Sequence, residues 1–288
     1  MKLSHFMTLL LLGAIWGASY PLMRVSVPEW GVLTLTSLRT LIASVLLIVF
    51  LKYKKLKLDW NQNSRHYLFI GFFNFTLPLA LFSFAAGKIP AAYSAIINAT
   101  VPFWTLLIAY FIFQESLTLK MFLGVIIGIT GVALVNGAGT IELSLSPVLG
   151  MLAATVAAMF YAVSSSYIRK NASHVSPVLL TAGSTFVASA VLLPFGVFYA
   201  PNTIPSYKAM VAVFALAAFC TVTAFIIFYD LVKKIGMTNA VLVTFLIPVF
   251  GAIWGFLFLN ESVNLGMITG MAFIMLGLAL IIYGKAKK

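Results

Sequence analysis

A single cysteine, Cys220, stands in 288 residues, so no disulfide can close within the chain, and the redox compartment is left open. Charge is nearly as scarce. Charged residues make up 8% of the chain against 62% hydrophobic ones, too few to cover one or two soluble domains with a solvated surface. Acids are rarer than bases. Glu29, Asp59, Glu115, Glu142, Asp230 and Glu261 are the only ones, and each falls in a loop or near the end of an apolar run. No carboxylate is therefore expected inside a membrane span, where a pump for protons or drug cations would need one. His5, His66 and His174 also sit near the ends of runs. There is no His/Glu metal motif, no Gly-x-Ser-x-Gly elbow and no phosphate-binding glycine loop, and Cys220 has no His or acid near it in sequence. Enzyme chemistry, a metal and a cofactor thus have no foothold.

What the chain does contain is length in apolar runs. A spanning helix needs about 20 mostly apolar residues, because every backbone polar group must find its partner inside the helix once water is gone. Ten segments meet that test, near 4–24, 31–51, 66–87, 91–113, 119–136, 147–167, 178–199, 208–232, 238–259 and 264–284. The fold class expected is all-α integral membrane, with ten transmembrane helices joined by short loops. The first run continues past Tyr20 to Met23, longer than the apolar core of a cleaved signal peptide, and is read as a retained helix.

The net charge of +12 would ordinarily raise nucleic acid as a partner, but the bases lie between apolar runs and form no basic face. With the N-terminus in the cytoplasm, all of the 18 Lys and Arg except Arg24, Arg39, Lys88 and Lys208 fall on the cytoplasmic side. This is the positive-inside pattern, with attraction to anionic lipid added. Lipid, not nucleic acid, is the partner it implies. Both termini are expected in the cytoplasm.

Two stretches repeat. FQESLTLKMFLGVIIGITG at 113–131 and LNESVNLGMITGMAFIMLG at 259–277 align Glu115 with Glu261, Met121 with Met267, Gly124 with Gly270 and Gly131 with Gly277 at one offset of 146 residues. Pro102 falls on Pro248 and Asn98 on Thr244 at the same offset. That offset carries the fourth run onto the ninth and the fifth onto the tenth. Each half, 1–140 and 141–288, then holds five helices, and an odd number inverts the second half relative to the first. Inverted repeats of this kind build many secondary transporters, with the solute site between the halves near the midplane.

WGASYP in the first run, Arg39 in the second, the small residues leading to Pro102, and the two Glu- and Gly-bearing stretches together resemble the EamA-type members of the drug/metabolite transporter superfamily. The resemblance covers nearly the whole chain. It implies ten transmembrane helices around a central cavity, a bacterial inner-membrane location, and movement of amino acids or related small metabolites, by export or exchange. The same fold also admits a multidrug or purine-type exporter, and a membrane-embedded enzyme or receptor is the rival from another class.

The expected cavity is drawn from polar and aromatic residues inside the runs. Trp16 and Tyr20 lie one turn apart, as do Asn74 and Pro78, and Ser94 and Asn98. In the second half the same holds for Tyr161 and Ser165, joined by Thr221 and Thr244. Any one of these could equally be a helix-to-helix hydrogen bond. Arg39 has two readings: its guanidinium snorkels to the outer headgroups, or it stays inside and attracts a carboxylate. Glu115 and Glu261 are read first as helix caps and otherwise as solute contacts. Gly124 and Gly270 allow helices to approach, within one chain or in a homodimer. Pro102 and Pro248 are expected to kink their spans, for packing or for gating. With no titrating group inside the spans, facilitated diffusion or exchange is the expected energetics.

Overall fold

The computed structural model describes residues 3–114, 118–136, 144–235, 240 and 243–285, which leaves Glu115 outside. Among the described residues the chain is all-helical, without a strand. The helices are α1 (Leu3–Gly17), α2 (Ser19–Trp30), α3 (Val32–Tyr53), α4 (Trp60–Ile70), α5 (Leu77–Ala86), α6 (Ala91–Asn98) and α7 (Val101–Phe113). They continue as α8 (Leu119–Asn136), α9 (Leu145–Tyr167), α10 (Pro177–Phe198), α11 (Tyr207–Ala217), α12 (Ala224–Ile235), α13 (Val243–Leu259) and α14 (Leu265–Lys285).

Several of these join end to end. Leu3–Trp30, Val32–Tyr53, Trp60–Ala86, Ala91–Ile112, Leu145–Ala172, Pro177–Phe198 and Tyr207–Ile235 are the 7 stretches long and apolar enough to cross a membrane. Leu119–Gly131, Val243–Leu259 and Leu265–Ile281 are shorter apolar helices. Large apolar side chains stay on the outside, Phe198 at 80% exposure and Leu119 at 73%, as lipid-facing helices require. The chain is a multi-pass integral membrane protein.

Turn chemistry sets the joints. Gly31 closes α2 at φ 69° with its N–H on the Val27 carbonyl, and no atom lies within 4 Å of where a Cβ would stand. Backbone angle, not space, selects glycine there. Pro102, expected to kink a span, is the second residue of α7; the helix breaks before it, at Ala99–Thr100. Its missing N–H falls in a first turn that has no intrahelical partner to lose. Pro248 lies inside α13, so the two prolines matched in sequence are not equivalent in structure.

Three segments widen to a π-helix: Gly71–Thr76 between α4 and α5, Ile168–Ala172 after α9, and Ala218–Thr223 between α11 and α12. Threonine hydroxyls follow the five-residue spacing. Thr76 donates to the Gly71 carbonyl at 3.0 Å, Thr221 to Leu216 at 3.0 Å and Thr223 to Ala218 at 2.8 Å.

The helices pack across the length of the chain. α1 lies on α13 and α12, α2 on α11, α3 on α10 and α11, α5 on α9, and α6 and α7 on α9. α8 and α14 make the most extensive pair. There a Cβ on Gly131 would stand 2.6 Å from the Gly270 carbonyl oxygen, and one on Gly124 2.6 Å from that of Gly277. The glycines let the two backbones touch, within one chain.

Candidate functional site

The buried side of α3 is unusually polar: Thr34, Thr36, Ser37, Arg39, Thr40 and Ser44 all lie on it. Hydroxyls can satisfy themselves against their own helix, as Thr40 does on the Thr36 and Ser37 carbonyls at 3.0 Å. A guanidinium cannot. Arg39 is only 6% exposed, so it does not snorkel to the surface. Its Nε donates to Thr221 Oγ1 at 3.2 Å and its Nη1 to Met23 Sδ at 3.7 Å. Thr221 reaches it from the Ala218–Thr223 π-segment, where a widened turn re-aims side chains, a common device at functional sites. A cation at this depth costs about 3 kcal/mol even on insertion-based scales, and among the described residues no carboxylate pairs with it.

Aromatic rings close around this group. Tyr20 meets Phe82 edge-on at 5.8 Å, and Tyr161 stacks on Phe82 at 5.9 Å. Met23, which Arg39 touches, shares one buried cluster with Tyr20 and Phe82, and Tyr161 packs against it. Thus four expected residues, Tyr20, Arg39, Tyr161 and Thr221, come together, and Met23, Ser83 and Phe82 join them unexpectedly; Ser83 Oγ also donates to Met23 Sδ, at 3.8 Å. Trp16 packs to one side, on Phe225 at 5.8 Å and Phe228 at 5.4 Å.

The other expected residues are spread wider. Ser94 Oγ and Asn98 Oδ1, on α6, are buried and have no hydrogen-bond partner among the described residues. Ser165 is exposed, shares a 3.4 Å hydroxyl contact with Thr105 and donates to the Ala162 carbonyl. Asn74 is half-buried, Pro78 buried and Thr244 half-buried.

Glu261 does cap a helix, but not the one it precedes. Its carboxylate accepts the N–H groups of Ala91 at 2.8 Å and Ala92 at 3.2 Å, at the start of α6, where unsatisfied donors and the helix dipole favour an anion. It also pairs with Arg24 at 3.2 Å, and Arg24 donates to the Ala86 and Ile89 carbonyls. The cap of α14 is Asn264, whose Oδ1 accepts from Met267 N–H at 2.8 Å. Thr118 does the same for α8 through Met121 N–H at 3.3 Å. At the same end of the bundle, Glu29 accepts from the Ser206 N–H at 2.5 Å and its hydroxyl at 2.7 Å.

At the opposite end, His66 Nδ1 lies 3.0 Å from the Tyr167 hydroxyl. A pocket of about 270 Å³ opens beside it between Phe69, Ile108, Ile112, Val163, Tyr167 and Lys170. Asp230, the one acid close to entering a span, is exposed and paired with Lys234 at 2.6 Å. Among the described residues no group of His, Cys, Asp and Glu could hold a metal ion.

A cation held inside an all-helical membrane bundle marks a candidate functional site in a membrane protein. The chain belongs to the EamA-like transporter family, whose model matches residues 4–137 and again 148–283. It is similar to two uncharacterized transporters of Bacillus subtilis, YvbV (25% identity, 93% of this chain and 88% of that protein) and YoaV (20%, 92% and 91%). It is also similar to the uncharacterized inner membrane transporter YedA of Escherichia coli (26%, 87% and 81%). A protein of known crystal structure shares the fold with TM-score 0.66 at 21% identity, over 97% of this chain and 96% of that one. The chain is thus a membrane transporter of this family.

Proposed function

We propose that the chain is an inner-membrane carrier that moves amino acids or related small metabolites, in the direction of export, by alternating access between two inverted five-helix halves, 1–140 and 141–288. The observation that carries this is the reciprocity of the packing. If the helices of one half are exchanged for their counterparts in the other, α1 on α13 becomes α9 on α7, α1 on α12 becomes α9 on α5, and α3 on α11 becomes α10 on α4, and each of these pairs is in contact. α3 with α10 and α8 with α14 exchange into themselves. Contacts that map onto one another under exchange of halves are what a two-fold axis between them produces.

The double family match supports the same division, and so do the π-segments, Gly71–Thr76 and Ala218–Thr223, in corresponding helices. The carboxylate links between halves lie at the end of Arg24, Glu29 and Glu261, while the pocket lies beside the His66–Tyr167 contact at the end of Lys170. With basic loops in the cytoplasm, the end of Lys170 is the cytoplasmic one.

The test is counterflow in proteoliposomes. Vesicles holding the purified chain and preloaded with an unlabelled amino-acid mixture should accumulate labelled amino acid transiently above equilibrium, and protein-free vesicles should not. Absence of solute movement across a panel of amino acids and small metabolites would sink the carrier reading.

A further inference from the structure

We infer, resting on the carrier reading above, that the solute bears a carboxylate that serves as the counter-ion of Arg39, and that the carrier therefore exchanges one such solute for another in preference to net release. A guanidinium has five N–H donors. Arg39 uses one on Thr221 Oγ1 at 3.2 Å and one on a methionine sulfur at 3.7 Å, and sulfur is a weak acceptor. The rest of the fork, including Nη2, is left to bind something else, in a group 6% exposed.

The protein does not supply the missing charge from the acids it describes. Glu29 is held by Ser206, Asp59 by the Gln62 N–H, Asp230 by Lys234, and Glu261 by Arg24 and the start of α6. A planar carboxylate accepting two parallel N–H groups is the natural complement of the remaining fork. A phosphate ester shares that chemistry, but it brings nearly two negative charges to one cation within walls made by Tyr20, Phe82 and Tyr161. The single charge of a carboxylate is the better match.

Exchange follows from the same imbalance. Closing the carrier over the site strips water from Arg39. With a carboxylate bound, the cation is matched and closure proceeds; without one, closure buries a lone charge. A ligand shifts a conformational equilibrium only by its differential affinity for the two states, and here the carboxylate has that differential built in. The empty carrier is then slow to return, and an incoming carboxylate on the far side speeds it.

The experiment uses the full chain in proteoliposomes without a pH gradient. The labelled probes are leucine and phenylalanine, their decarboxylated amines isoamylamine and phenethylamine, and glycerol 3-phosphate. The expected result is carboxylate exchange at least 10-fold faster than net efflux, with neither amine moved nor able to stimulate efflux from the other side. Arg39→Gln should bring carboxylate and amine fluxes within 3-fold of each other and the ratio of exchange to net flux toward one. Arg39→Lys, which keeps the charge and loses the fork, should keep the exchange preference at weaker affinity. Equal handling of carboxylates and amines by the unmodified protein, net efflux as fast as exchange, or exchange of the phosphate ester alone would overturn the proposal. If Arg39→Gln does not fold, the comparison of probes on the unmodified protein still decides it. Failure of the carrier reading is a different result: no probe moves at all.

Discussion

Gln114 and Asn260, 146 residues apart in sequence, end α7 and α13 in the same left-handed conformation, at φ 56° and φ 53°. Each directly precedes a glutamate of the repeated stretch. Side chains with a Cβ pay for this conformation, and Asn tolerates it better than most. We therefore expect Asn260→Gly to leave stability unchanged or slightly raised, and Asn260→Val to lower it by about 1–2 kcal/mol, read as the thermal unfolding midpoint in detergent. Equal midpoints for the two variants would mean that the backbone there is not held.

Glu261 ties the second half to the first through Arg24 and the start of α6. Its replacement by Gln removes the ion pair and weakens the cap while preserving size. In a Cys220→Ala background with Tyr20→Cys as reporter, Glu261→Gln should raise labelling from the outside by a membrane-impermeant thiol reagent several-fold. Unchanged labelling would show that these contacts do not hold the outer end closed.

The α8–α14 crossing leaves no room for side chains. A Cβ on Gly131 would meet the Gly270 carbonyl oxygen at 2.6 Å and Ile274 at 2.8 Å, both on a packed helix that must move away. Gly131→Leu should reduce the folded yield sharply, by gel filtration of the detergent-solubilised protein, whereas Gly31→Ala, where only the backbone angles oppose the change, should cost about 1–3 kcal/mol and leave a folded protein. A full yield of Gly131→Leu would contradict the close crossing.

Orientation is open to a direct test. Single cysteines at Lys55 and Lys285 should react only from the cytoplasm, and those at Thr140 and Thr203 only from outside. Reaction of the Lys55 position from outside would end the inverted-half arrangement.

Arg39 was legible in the sequence because a charge inside an apolar run has no local explanation. Its partner was not: Thr221 lies 182 residues away, and its aim depends on a π-segment that periodicity does not signal. Phe82 and Met23 could not be singled out, since an apolar residue in an apolar run carries no contrast. For Glu261, capping chemistry was readable from the residue type, but the helix capped was not, because the link to Ala91 spans 170 residues and only packing creates it. Pro102 misled for a related reason. A proline in a continuous apolar run reads as a kink, whereas the unwound residues just before it turn it into a helix start.

The paired π-segments also carry history. A π-turn is a helix that has absorbed one extra residue without breaking, and Gly71–Thr76 and Ala218–Thr223 hold theirs at matching places, 147 residues apart where the glutamates are 146 apart. On the reading that both halves descend from one five-helix unit, the extra residue is older than the doubling. A half-length relative that forms this fold from two copies of one chain should carry the same widened turn, with a threonine hydroxyl on the carbonyl five residues back.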